Sequence, residues 1–595
     1  MTNLDGKSIS KPIGLAIVIV MATLLTFLTP LSVSTTSAHA STSEPSLIGR
    51  MEVRSGIALG STFYFVGNDP LDSPDKGWDL WKSDGSTMTL VRDFRPGASA
   101  YDSQLDSLTV LGETLYFLAN DDGIDSDLWM HNSAAATTTL VRYQNTQDLS
   151  RTPAYLYVLG NSLYFQAKYL DDTTDSELWR LSEGGSAFPI EIRPGTDGSD
   201  PKNFAGIGST LYFSAAGDQG AELWKSDGVT ATLVKDINNT FNNSSNPENM
   251  AVLGSRIYFN ANDGVHGGEL WTSDGTSSGT LLLKDIRAGV NDSDPFNLYA
   301  HRSSLYFQGS DSPSGREPWI SDGTTGGTMV LKDINPGGSS SDPESFTSVG
   351  ETLFFSATNT SGRELWKSQG TGASTTIVKD FMPSGGSSNP TSLTAFDNKL
   401  YFATDHPDFG NELWRTDGTE ANTQLVKDLV PGVNGSSPES LVVVGNTLYF
   451  NASPDGNHGL YKITISSGSS GGSNSGGSSS DLQSAPVAPL VVESRTSLEV
   501  SFVGGSKRLS KSARDAIRKK IKSFETVKSV VCTAKTRLNP STAERQSALS
   551  RAQRACQLAK KVSPDTTAQI RSRVSETRGS ESRRVQIVTT GTKKK

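Results

Sequence analysis

One aromatic phrase recurs nine times between about residue 57 and residue 465, and its spacing restricts the fold more than any other feature of the chain. The phrase opens on a triplet: Phe63-Tyr64-Phe65, Leu115-Tyr116-Phe117, Leu163-Tyr164-Phe165, Leu211-Tyr212-Phe213, Ile257-Tyr258-Phe259, Leu305-Tyr306-Phe307, Leu353-Phe354-Phe355, Leu400-Tyr401-Phe402 and Leu448-Tyr449-Phe450. About fifteen residues later it closes on Trp81, Trp129, Trp179, Trp224, Trp271, Trp319, Trp366 and Trp414, with Tyr461 in the ninth copy, in steps of 48, 50, 45, 47, 48, 47, 48 and 47. A period in this range belongs to propellers or solenoids of small sheets.

Each unit contains four short strands, seen in the unit from Ser345 as FTSVG, TLFFSAT, RELWKS and TTIVKDF. Asn, Asp, Gly and Pro between them suit tight reversals. Alternation of polar and apolar residues is weak, because a triplet such as Leu115-Tyr116-Phe117 puts bulk on both faces. A sheet covered on both faces accounts for that, and a propeller blade between two neighbours is such a sheet. The fold class expected is therefore mainly β: a propeller of about nine four-stranded blades, with an open array or two rings as alternatives. The last unit stops after its third strand at Ile465, while Leu47 to Val53 (LIGRMEV) has the character of a fourth strand. An N-terminal strand completing the final blade would close the ring without an exposed edge.

The strings ELWTSDGT (Glu269 to Thr276) and ELWRTDGT (Glu412 to Thr419), with the near matches EPWISDGT, ELWKSQGT, ELWKSDGV and DLWKSDGS, resemble the bacterial ELWxxDGT repeat family over about two thirds of the chain. The resemblance implies secretion and a propeller-like fold, and no particular reaction. Asn132-Ser133 and Glu183-Gly184 stand where Asp-Gly is expected, so the turns of the second and third units depart from the pattern.

The ends differ from the middle. Lys7 and Lys11 precede an apolar run from Ile13 to Leu28, and Ala38-His39-Ala40 has the small-x-small form of a cleavage site, so residues 1–40 are expected to be a signal peptide. An uncleaved N-terminal anchor is the alternative. No other segment is apolar enough to span a bilayer. After the repeats of 41–465 comes a Ser/Gly-rich and Pro-containing linker, 466–497, and then a small domain, 498–591. Charge divides at the linker: from Leu482 to Lys595 there are 25 Lys plus Arg against 8 Asp plus Glu, a net of +17, and the other 29 basic and 55 acidic residues leave −26 elsewhere. Export makes nucleic acid an unlikely partner for the basic part and anionic wall polymers a suitable one.

That C-terminal part is expected to run βαβαββ: a strand at Leu498 to Val503, a helix near 511–524, a strand near Thr526 to Thr533, a helix from Ser541 to about Lys561, and strands near Ala568 to Val574 and Arg584 to Thr589. Ser541 with Glu544 forms a capping box. Two cysteines, Cys532 and Cys556, in an exported chain favour a disulfide. The order of elements, with SALSRAQRA (Ser547 to Ala555) and RRVQIV (Arg583 to Val588), is similar to the OmpA-like peptidoglycan-associated domains. By that resemblance Arg554 occupies the position that binds the wall peptide, whereas Lys535 falls where the family has an Asp, so half of the clamp is lost or reversed in charge. The resemblance also points to the envelope of a Gram-positive, actinobacterial-type bacterium.

The repeated rings invite a lectin reading, but their recurrence in every unit assigns them to packing; Trp78, outside the repeat position, is the one candidate for exposure. Loops between second and third strands carry acids in eight of nine units, from Asp69 through Asp121, Asp122 and Asp125 to Asp455. Hard oxygens suit calcium, with Asp121 and Asp125 in NDDGIDSD the weak candidates, although ordinary turn chemistry explains the same residues. No GxSxG, HExxH or phosphate loop is present, and the His residues stand at unmatched positions. The expectation is an exported non-enzymatic binding or scaffolding protein with no required cofactor. Its propeller would bind an unknown glycan or protein, and its basic domain cell-wall polymer or peptidoglycan. The alternatives are an extracellular enzyme acting on polysaccharide or peptide at the propeller channel, and a calcium-stabilised surface protein.

Overall fold

The computed structural model describes residues 41–69, 77–95, 103–123, 125–143, 147–148, 152–169, 172–194, 197–240, 243–383 and 385–466, together with four C-terminal strands. The chain forms two compact units, Met1–Gly471 and Gly472–Lys595. In the first, nine antiparallel sheets follow one another: blades 1 to 9 span 52–92, 106–140, 154–190, 202–235, 248–284, 296–330, 344–377, 391–425 and 439–466. Blades 1 to 8 order their four strands as they come in the chain. No helix occurs among the described residues.

The aromatic phrase explains why these sheets stack. Successive side chains of a strand point to opposite faces, so Leu115 and Phe117 join Tyr64, Val66 and Leu80 of blade 1, while Tyr116 and Leu118 join Leu163, Phe165 and Trp179 of blade 3. The same division recurs round the molecule and gives nine apolar clusters, one at each junction. Trp129, Trp179, Trp271, Trp319, Trp366, Trp414 and Tyr461 are all buried within them.

The ring closes. Phe63 of blade 1 stacks on Tyr449 of blade 9 at 4.6 Å, in a cluster that also holds Met51, Val53 and Leu460. The first strands Glu52–Leu59 and Glu439–Val444 touch as neighbouring first strands do elsewhere. Ser46–Arg50 pairs with Gly459–Ser466 as the outer strand of blade 9, and Arg50 forms an ion pair with Asp455. The expected closing strand thus forms at 46–50, and residues from Glu52 onward begin blade 1 instead.

The Asp-Gly turns have a packing reason. Gly275 has a φ of +86°, and a Cβ there would lie 2.2 Å from the Tyr212 hydroxyl of the preceding blade; Asp274 Oδ1 accepts from the Thr276 amide at 2.9 Å. The divergent turns of blades 2 and 3 still form: Asn132 Oδ1 accepts from the Ala135 amide at 2.8 Å, and the Gly184 amide donates to the Tyr116 hydroxyl at 3.1 Å.

A buried carboxyl joins each of blades 3 to 8 to the connection that follows it. Glu269 is 0% exposed and accepts from the Ile286 amide at 2.7 Å, the Arg287 amide at 3.2 Å and the Ser293 hydroxyl at 2.7 Å. Ser293 in turn donates its amide to the Gly268 carbonyl and accepts from the Ser310 amide of blade 6, both at 3.0 Å. Glu177, Glu222, Glu317, Glu364 and Glu412 repeat this with Ser199, Ser245, Ser341, Ser388 and Ser436.

The C-terminal sheet consists of Glu493–Ser501, Phe524–Arg537, Gln569–Thr577 and Arg584–Lys593, in the order first, fourth, second, third. The second and third are parallel and the other pairings antiparallel. Four strands stand near the four expected, but the first begins inside the expected linker, and Phe524 opens a strand where a helix end was expected. The two expected helices otherwise lie outside the described residues.

Replacing Glu269 by Ala strands two amides and a hydroxyl in a dry site, and we predict a loss of about 2–4 kcal/mol in urea unfolding. Acidity offers a second test. Burial pushes the Glu177, Glu269 and Glu317 carboxyls up to about 7, against hydrogen bonds that pull the other way. A raised value means that the folded chain holds the proton more tightly than the unfolded chain, so this contribution is complete below the ordinary Glu value of 4.5 and lost as pH rises through about 7. Urea midpoints should therefore fall across that window, and fall less in a variant carrying Glu177→Gln, Glu269→Gln and Glu317→Gln.

Candidate functional site at the connection face

Antiparallel strands send the turns after first and third strands to one face of the ring, and the loops after second strands, with the blade-to-blade connections, to the other. On this second face the connections into blades 4 to 9 share one pattern: a buried Ser, a residue with positive φ, a buried Pro, an exposed residue and a second positive φ. Ser199-Asp200-Pro201-Lys202-Asn203 shows it, with φ of 44° at Asp200 and 58° at Asn203. The residue after Pro opens the first strand and lies opposite a second-strand residue, as Lys202 does to Ser214 and Glu248 to Asn260. By this register Asp106, Ala154, Lys202, Glu248, Phe296, Glu344, Thr391 and Glu439 ring the channel mouth, and Ser55, opposite Val66, holds the equivalent place in blade 1.

The ring's regularity fails at the junction of blades 2 and 3. Arg151 stands in sequence where the later connections have Ser, and Asp127 is one methylene shorter than the Glu of blades 3 to 8. At the second positive-φ position, which is Asn or Ser in every other such connection, stands Tyr155, with φ of 57° and 54% exposure. A bulky side chain is rarely held there, and the conformation costs about 1–3 kcal/mol. Tyr155 borders a groove of about 490 Å³ lined by Gln104, Asp106, Ser107, Leu118, Asp125 and Ser126 of blade 2 and by Thr152, Pro153 and Ala154. The groove therefore brings two carboxylates, several neutral hydrogen-bonding groups and one exposed phenol to the edge of the channel.

Of the residues singled out in the sequence, Asp125 reaches this groove, whereas Asp121 lies 3.8 Å from Arg92 in an ion pair. Asp263, Asp311 and Asp455 accept backbone amides within their own loops, which is ordinary turn chemistry. Among the described residues no three His, Cys, Asp or Glu side chains gather as a metal-ligand set. Trp78 is buried rather than exposed, with Arg54 3.7 Å above its ring. His301 meets Ser348 and the Glu351 carbonyl, and His266 meets Asp263; no described His joins both a hydroxyl and a carboxylate. Arg554 and Cys556 lie outside the described residues, and Cys532 and Lys535 are described only as strand backbone. The groove went unnoticed in the sequence because its residues look like loop. The signal was the repeated Ser-x-Pro motif and its interruption at Arg151 and Tyr155.

No protein-family model and no curated protein matches the chain. Solved structures do: a prolyl endopeptidase at 11% identity, covering 54% of this chain and 49% of that one with a TM-score of 0.34. A puromycin-hydrolyzing peptidase of Mycobacterium tuberculosis matches at 11% identity, with 59% of each chain covered and a TM-score of 0.32. The β-propeller domain of the Trilobed protease from Pyrococcus furiosus matches at 10% identity, over 56% of this chain and 99% of that domain, with a TM-score of 0.30. The chain spans about half the length of the first two. Such likenesses concern the propeller architecture alone.

They nevertheless correct one expectation. Uniform blades without a catalytic motif suggest, from the sequence, a non-enzymatic binding or scaffolding protein. The matched chains are named as peptidases or hydrolases, and both the non-enzymatic role and the expectation that the chain is not an enzyme are withdrawn.

Because Asn tolerates positive φ better than Tyr, Tyr155→Asn should stabilise the propeller by about 1 kcal/mol in urea unfolding. A decrease in stability would mean that the ring contributes packing there.

Proposed function

We propose that this chain is an exported enzyme acting on an extracellular peptide or polysaccharide held in the groove between blades 2 and 3. The observation that carries the reading is Tyr155, an exposed aromatic ring in a costly backbone conformation, at a junction where two carboxylates border a groove. A bulky aromatic held at a positive-φ position that the sibling connections give to Asn or Ser supports a functional use. Asp106 and Asp125 come from different segments of blade 2, and a pair of carboxyl groups can divide the work of general acid and general base on a bound polymer. The phenol offers a face for a sugar or a side chain to lie against, and Gln104, Ser107 and Ser126 offer hydrogen bonds along the groove. In this reading the basic C-terminal part, including Arg554, keeps the enzyme at the anionic cell wall.

The purified chain should release products from a peptide library or a cell-wall glycan library. Asp106→Asn or Asp125→Asn should lower turnover about a hundredfold without lowering the melting temperature. Turnover of neither class, or undiminished turnover by both variants, would overturn the reading.

A further inference from the structure

Blade 5 lacks a side chain that two of its siblings use as a built-in cation. The residue before the ELW carboxyl is Arg316 in blade 6 and Arg363 in blade 7, but Gly268 in blade 5. In blade 7 the Arg363 guanidinium donates to Ser356 Oγ at 2.8 Å and to the Asp342 carbonyl at 3.0 Å, and it pairs with Glu344 at 2.5 Å. Asn260 and Glu248 hold the corresponding places in blade 5, opposite each other in register as Ser356 and Glu344 are. With glycine at 268, no side chain enters between them.

Negative charge increases at the same point. The connections after blades 4, 6 and 7 use Ser244, Ser340 and Ser387 to accept the amide of the residue before the carboxyl. After blade 5 that acceptor is a carboxylate, Asp292, whose Oδ1 lies 2.6 Å from the Gly268 nitrogen. A Cβ on Gly268 would lie 3.2 Å from Asn260 Oδ1, 3.4 Å from Asp292 Oδ1 and 3.5 Å from Asp294 Oδ1. Three oxygens from two segments, the second strand and the following connection, thus converge beside Gly268. Asn260 is 7% exposed; its Nδ2 donates to Glu248 Oε1 at 3.2 Å, which leaves Oδ1 facing that point with no hydrogen-bond partner. Burial and the neighbouring Asp292 hold the Asp294 carboxyl above the usual range, even with Arg316 and Arg287 close by.

We propose that blade 5 binds a divalent cation of the calcium type between Asn260 Oδ1 and the carboxylates of Asp292 and Asp294, beside the glycine that stands where blade 7 has Arg363. Every donor is a hard oxygen, and calcium accepts irregular sets of carboxylate, amide and water oxygens, whereas magnesium demands a tight octahedron. The bound ion would pin the blade 5 to blade 6 connection to blade 5, as Arg363 ties its own blade to the connection before it. This site is distinct from Asp121 and Asp125 and independent of the proposed enzymatic role.

The purified full chain, stripped with EDTA, is titrated with calcium chloride by calorimetry, and its melting temperature is followed in parallel. Calcium should bind with measurable heat and raise the melting temperature. Asp292→Ser and Asp294→Asn, residues that sibling connections already carry, should each weaken binding about tenfold or more. Gly268→Arg should abolish the calcium response without lowering the melting temperature in EDTA. Absence of heat and of any melting shift at millimolar calcium, or unchanged affinity in both acid variants, would overturn the proposal.

Discussion

A dry carboxyl group accepting three hydrogen bonds is the interaction on which this ring depends. Apolar clusters press neighbouring blades together, but dispersion and burial are not directional, and flat aromatic faces could slide. The carboxyls of Glu177, Glu222, Glu269, Glu317, Glu364 and Glu412 prevent that. Each reaches from a third strand to a serine 22 to 24 residues onward, and that serine accepts from the second strand of the next blade. Backbone groups of the connection that would otherwise be buried without partners are satisfied in the same step.

The blades that lack this device show what replaces it. Blade 9 has Gly459 at the carboxyl position, and there the chain's own strand Ser46–Arg50 covers the edge while Arg50 pairs with Asp455. Blade 1 keeps a shorter version, with Asp79 Oδ1 accepting from the Phe94 amide at 3.0 Å. Between blades 2 and 3 neither the long acid nor the serine is present, and the connection opens into the groove beside Tyr155. Tyr155 and Gly268 both stand where one blade departs from its siblings.

Much of the architecture was legible because it rests on large residues at constant spacing. The triplets and Trp81 through Tyr461 marked two strands of every blade, and LIGRMEV marked the closing strand. The serines were not legible. Ser199 or Ser293 is a small polar residue in a loop-like stretch, and its meaning depends on a carboxyl more than twenty residues away. Trp78 misled because an aromatic ring outside the repeat position looks exposed, whereas Arg54 and blade 2 cover it. The oxygens about Gly268 come from a second strand and a later connection, so no local motif announces them.

Amide hydrogen exchange followed by mass spectrometry tests the central claim most directly. Ile237, Ile286, Ile334 and the serines Ser245, Ser293 and Ser341 lie outside the sheet ladders, yet if the carboxyls hold the ring their amides will exchange as slowly as those of the LYF strands. Exchange as fast as in the exposed Asp-Gly turns would show that the connections are loose and that packing alone holds the blades together.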